Sequence, residues 1–240
     1  MEGKRERSPL YPDEVLRGDR AGGLWRRLRS SLGLIGDSWR GRPGPRRALG
    51  ALSVVLMLGG VGLFSYPFLT NLYADWQQSK LEDQFHEEST RRAYITRTIR
   101  PGEALTKIHI PALDVDAIVV EGTTPSALRA GAGHYQQTAL PCEKGNSAIA
   151  GHRTTYSKPF ANLQDLEKGD EIVVTTPVGR CVYEVIGEPW ITTPDDFRVL
   201  QPVRGSVLTL TTCDPPGSAE QRLIVRAELV SSEVLPVEGS

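Results

Sequence analysis

Apolar positions are distributed along this chain in two regimes. Residues 48–74 form a run of 27 without a charge, and its centre, ALSVVLMLGGVGLFSYPFL, has no polar face. A helix that is apolar all round belongs in an apolar medium, and about 20 such residues cross the ~30 Å hydrocarbon layer of a bilayer. Arg46 and Arg47 abut the start of the run, while Tyr66, Phe68, Tyr73 and Trp76 gather at its end. Basic residues on the inner flank and aromatic residues at the outer interface are the usual dressing of a membrane span. The run exceeds the roughly 7–15 residues of a signal-peptide core, and no A-x-A cleavage site follows. An uncleaved anchor is expected over residues 48–72.

From residue 101 the texture changes to short β-branched and apolar runs, broken by Gly, Pro and Asn clusters. Such runs read as strands, here 104–110, 115–121, 147–152, 170–176, 180–192, 206–213 and 222–230. Only two helical pieces are expected, 124–129 and 159–166. Strands at this spacing predict a mainly β domain, a closed barrel or a sandwich, over residues 101–232. A polar, helix-permissive stalk at 73–100 joins it to the anchor, with Trp76, Leu81 and Phe85 as its few apolar positions. A short tail, 233–240, ends the chain.

Charge separates the two ends of the molecule. Residues 1–47 carry 12 Lys and Arg against 6 Asp and Glu, whereas residues 101–240 carry 11 against 18. The first segment, rich in Arg, Gly and Pro, reads as a disordered cytoplasmic tail that suits anionic lipid. Lys80 is the only Lys or Arg among residues 75–90, so the positive-inside bias puts the N-terminus in the cytoplasm and the β domain outside. That domain lacks the basic stripe a nucleic-acid partner would need.

Candidate chemistry sits at strand ends. SVLTLTTC stops at Cys213, because DPPGS cannot continue a strand. SAIAGH stops at His152. The other histidines have plainer readings: His86 is solvated in the stalk, His109 alternates within a strand, and His134 makes a loop contact. Arg222 opens a strand nine residues after Cys213. If those two strands pair antiparallel, the two side chains are neighbours, and a guanidinium offers a fork of donors to a carbonyl or a developing oxyanion. No carboxylate is an obvious third member of a triad: Asp214 is adjacent to Cys213, and Asp195 and Asp196 are possible members without a supporting motif. Cys–His–Arg is the constellation these residues allow.

TLTTC at 209–213 with its trailing Arg222, GHRTTYSKPF at 151–160, and IHIPALDVDAIVVEG at 108–122 occur in this order. Together they resemble the signature segments of sortases, and their details are most similar to class E. The resemblance covers roughly residues 101–232 and implies a closed β-barrel of about eight strands with short helices. It also implies a cysteine transpeptidase that cleaves a C-terminal LAxTG- or LPxTG-like sorting signal through a thioacyl-enzyme. An amino group of a cell-wall precursor then resolves the intermediate, and surface proteins become wall-attached. Cys213 would be the nucleophile, His152 the general acid and base, and Arg222 the oxyanion and substrate support. Thr211 and Thr212 would lie beside the substrate.

Cys142 and Cys181 depart from the familiar pattern, LPC standing where class E has an LPG-type turn. With Cys213 reduced for catalysis and the domain outside the cell, where disulfides persist, a Cys142–Cys181 bridge is expected. No acidic cluster suggests calcium, so neither metal nor cofactor is expected. The SHGxxC and C-G-S-C-W contexts of other Cys–His enzymes are absent from the sequence. The alternative to an enzyme is a membrane-tethered β-barrel that binds wall or partner proteins.

Overall fold

The computed structural model describes residues 43–234. Most of the tail expected at 1–47 and the last residues of the chain lie outside that range. Residues 43–47, expected to be disordered, already belong to a helix, α1, Pro43–Phe85. Its most apolar 18-residue stretch has a mean hydropathy of 2.0 and is exposed throughout, as a candidate membrane span should be. α1 runs through Pro67, whose ring removes one backbone donor. It continues over much of the expected stalk and is followed by α2, Glu88–Thr96.

From residue 64 onward the described residues form one compact unit. Its strands are β1 (Ala104–Ile110), β2 (Val115–Glu121), β3 (Ala132–His134), β4 (Gly145–Ala150), β5 (Glu171–Thr176), β6 (Gly179–Val185), β7 (Trp190–Thr192), β8 (Ser206–Asp214) and β9 (Gln221–Val234). They hydrogen-bond in the order β6-β5-β1-β2-β3-β4-β8-β9, and β9 pairs back onto β6 to close an eight-strand barrel. Closure depends on the 14-residue β9, whose first half pairs with β8 and whose second half pairs with β6. Inward positions of alternate residues fill the barrel, among them Ile108, Ile149, Ile172, Tyr183, Leu208 and Val225.

Three elements differ from expectation. The run 180–192 splits into β6 and β7 because Gly187 and Pro189 interrupt it, and β7 attaches to β9 outside the ring. The helix expected at 159–166 shrinks to one 3-10 turn, Leu163–Asp165. β3 lies in the Gly-rich segment read as a loop, where Gly133 is needed because a Cβ there would collide with the Gly122 carbonyl. The expected helix at 124–129 appears as α3, Pro125–Ala130, capped by the Thr124 hydroxyl.

The outer end of α1 is bound to the barrel. Leu81 and Phe85 bury against Ala104, Ile118, Val120, Ala127 and Ala130. The Gln78 amide fills a gap in the strand ladder: Oε1 accepts from Ile118 N–H (2.7 Å), and Nε2 donates to the carbonyls of Ala130 (2.7 Å) and Ile118 (3.2 Å). Pairing of β2 with β3 begins only at Val119 and Ala132, so these backbone groups would otherwise lack partners. Cys142, in the loop before β4, is joined to Cys181 of β6 by a disulfide with a Cα–Cα distance of 5.8 Å.

Candidate active site

Two strand pairings build the site. β4 and β8 run parallel, with Ala150 opposite Thr211, and Gly151 N–H continues the ladder to the Thr211 carbonyl (3.0 Å). His152 and Cys213 each stand two residues beyond that matched pair, so both strands deliver them to the same end of the barrel. β8 and β9 run antiparallel, with Cys213 directly opposite Arg222. Direct cross-strand partners share a face. Leu208 and Leu210 point into the core, so Thr211 and Cys213 face outward, together with Ile224 and Arg222. The structure thus brings Cys213, His152 and Arg222 to one end of the barrel, with Cys213 and Arg222 on one face. All three are half-buried.

Glycine at 151 is required by packing, since a Cβ there would meet the Phe160 ring. The chain after His152 folds back, Phe160 N–H donating to the His152 carbonyl (3.1 Å). Tyr156 lies beside the imidazole, with ring centroids 5.4 Å apart. Burial, and then the nearby positive charge of Arg129, push the His152 pKa below its ordinary value. Both disfavour the imidazolium and so favour the neutral imidazole, the form able to accept a proton. Cys213 is the one free cysteine. The Arg222 guanidinium donates to the carbonyls of Ala219 (3.0 Å) and Gln221 (2.9 Å) in its own loop.

The two threonines separate. Thr211 lies on the face of Cys213, and its hydroxyl meets Tyr135 Oη at 3.2 Å. Thr212 faces the other way, opposite the core residue Leu223, and its hydroxyl donates to the Gly151 carbonyl (2.8 Å). Thr212 thus does not share the face of Cys213, and it ties the end of β8 to the residue before His152. A small cleft above the outer face is lined by Tyr135, Thr211, Arg222 and Ile224, and roofed by Pro194 and Phe197. Asp196, in the same segment, accepts from Thr192 Oγ1 (2.7 Å) and Arg198 Nε (2.7 Å). Those bonds hold its carboxyl well below the usual range. Asp214 contacts Arg153, and no carboxylate bonds the His152 ring among the described residues.

The remaining histidines are elsewhere. His86 and His109 are exposed. His134, read as a loop residue, is buried on β3 between Glu121 (3.1 Å) and the Ala139 carbonyl (2.9 Å). Among the described residues no group of His, Cys, Asp and Glu is placed to hold a metal. Reading the sequence alone missed Tyr135, Tyr156 and Arg153. Arg153 and Tyr156 stood inside the GHRTTY segment, but nothing local marked their contacts.

Comparison with known proteins gives a consistent picture. The sortase domain model matches residues 108–230. Sortase SrtE2 of Streptomyces coelicolor is 32% identical over 82% of this chain and 90% of its own length. Sortase SrtE1 of the same organism is 33% identical over 67% of this chain, which spans about half of that relative's length, 50%. Among solved structures, sortase E from Streptomyces avermitilis aligns with a TM-score of 0.52 at 39% identity, covering 56% of this chain and 93% of that one. A sortase D5 transpeptidase from Clostridium perfringens aligns at 0.57 and 31%, covering 65% and 98%. With its closed barrel and its matched domain, this chain belongs to the sortase family, and its relatives include class E sortases.

Proposed function

We propose that this chain is a membrane-anchored cysteine transpeptidase that attaches surface proteins to the cell wall. The observation that carries the reading is the register that puts Cys213 opposite Arg222 and runs β4, which leads to His152, to the same end of the barrel as β8. Cys213 Sγ attacks the carbonyl of the Thr in an LAxTG- or LPxTG-like signal, and the thiol proton passes to neutral His152. The tetrahedral oxyanion takes donors from Arg222, substrate oxygen replacing the Ala219 and Gln221 carbonyls. His152 returns the proton to the departing amine as the C–N bond breaks, which leaves a thioester. An amino group of a cell-wall precursor then attacks, gives a proton to His152, and expels the Cys213 sulfur. The signal lies across Thr211 and under the 193–200 segment.

The charge asymmetry about the apolar run supports a cytoplasmic N-terminus and an extracellular barrel. The test is labelling of the intact protein with a thiol-reactive sorting-peptide analogue. Selective modification of Cys213 that is lost in His152→Ala supports the enzyme. Arg222→Lys should label poorly, because an ammonium keeps the charge and loses the fork. Unselective or absent labelling would make the chain a binding module instead.

A further inference from the structure

Cys213 and His152 are each followed at once by a charged residue, and these two charges meet. Arg153 Nη1 donates to the Cys213 carbonyl (3.2 Å) and to Asp214 Oδ1, while Nη2 donates to Gln164 Oε1 (2.9 Å). The Arg153 and Asp214 side chains are only 8% and 14% exposed. Arg153 Nε is buried with no partner among the described residues. A buried ion pair is a poor device for stability alone, since apolar residues of the same volume do as well or better. Its place, directly behind the two reactive residues, calls for another role.

We propose that Arg153 and Asp214 are positioning residues, a charge-balanced clamp that holds His152 and Cys213 level and whose two charges cancel at the pair. The mechanical part follows from topology. β4 and β8 pair through Ala150 and Thr211, so His152 and Cys213 stand past the last matched pair of the parallel ladder. Beyond that pair the strands are tied by the Gly151 N–H bond to the Thr211 carbonyl, the Thr212–Gly151 bond and the Arg153 contacts. Reactive groups misplaced by an ångström lose rate steeply.

The electrostatic part follows from counting charges around the pair. Arg129 acts on His152 from α3, Arg222 faces Cys213 from β9, and Tyr156 covers the imidazole from the folded-back loop. In the roofing segment, the Asp196 carboxylate is already paired with Arg198. Asp214 is therefore the carboxylate that offsets Arg153. Neutralising Asp214 adds an uncompensated cation, which favours thiolate and disfavours imidazolium. Neutralising Arg153 leaves a carboxylate, with the opposite effect on both groups.

The inference takes the proposed chemistry as its frame, but one measurement is independent of turnover: the pH dependence of Cys213 alkylation by iodoacetamide in the intact protein. Asp214→Asn should move the alkylation midpoint down by about half a pH unit or more, and Arg153→Gln should move it up. The double variant should return to the wild-type midpoint. With a sorting peptide, both limbs of the kcat/KM profile should follow the same signs. Arg153→Lys should keep the wild-type midpoint yet lose roughly tenfold in kcat through lost geometry. Midpoints unchanged in both single variants, or shifted in the same direction, would overturn the clamp. A wild-type protein that alkylates normally but turns over no sorting peptide would overturn the proposed function and leave the clamp standing.

Discussion

At the scale of single residues, the site depends on hydrogen bonds made behind the reactive face. Thr212 buries its hydroxyl against the Gly151 carbonyl. Thr212→Val keeps the shape and leaves that buried carbonyl without a donor, which should cost about 1–3 kcal/mol. Urea unfolding of the intact protein in detergent checks the stability, and Thr212→Ser should restore it. Arg129→Gln tests the field on His152. Burial and Arg129 both hold its pKa down, so removing the guanidinium should raise it, and the acidic limb of the kcat/KM profile should move to higher pH. An unmoved limb would mean burial accounts for the whole effect. The inward turn of Thr212 was legible: in SVLTLTTC the alternation that buries Leu208 and Leu210 also buries position 212. The signature string drew both threonines toward substrate, although a strand cannot present neighbours on one face.

At the scale of elements, β1 and β2 could be read to the residue because Pro111 and Gly122 bound two β-branched runs. β3 could not, since AGH has no strand composition and its pairing depends on absent side chains. The pairing of Cys213 with Arg222 was legible from a short separation. The levelling of His152 with Cys213 was not, because it rests on a parallel pairing between distant strands, and only their strand-end placement hinted at it. The stalk reading missed how α1 binds the barrel. Its polar sequence hid Gln78, whose amide supplies the strand ladder with what a backbone would. Gln78→Ala should leave Ile118 N–H and the Ala130 carbonyl unpaired, at a cost of about 1–3 kcal/mol. Hydrogen exchange at Ile118 would report the loss, and protection equal to wild type would show that packing of Leu81 and Phe85 suffices.

At the scale of the whole molecule, the covalent constraint and the site share one stretch of chain. The disulfide closes the loop from Cys142 to Cys181, a separation of 39 residues that contains β4, His152, its folded-back loop and β5. Both bonded positions lie away from the reactive face, Cys142 packing against the core beside buried Cys181. The chain-entropy argument assigns a loop of this length about 4 kcal/mol, by restricting the unfolded state. Because the constraint acts mainly on the unfolded chain, reduction should lower stability without displacing His152 from Cys213. A Cys142→Ala/Cys181→Ala variant should therefore show a lower thermal midpoint, with kcat near wild type at temperatures where it remains folded. Non-reducing peptide mapping should find the two cysteines linked and Cys213 alkylatable in the wild type. A double variant that is as stable as wild type would show that the barrel's packing alone closes this loop. Loss of kcat in a protein still folded would show that the bridge also holds the His152 strand in place.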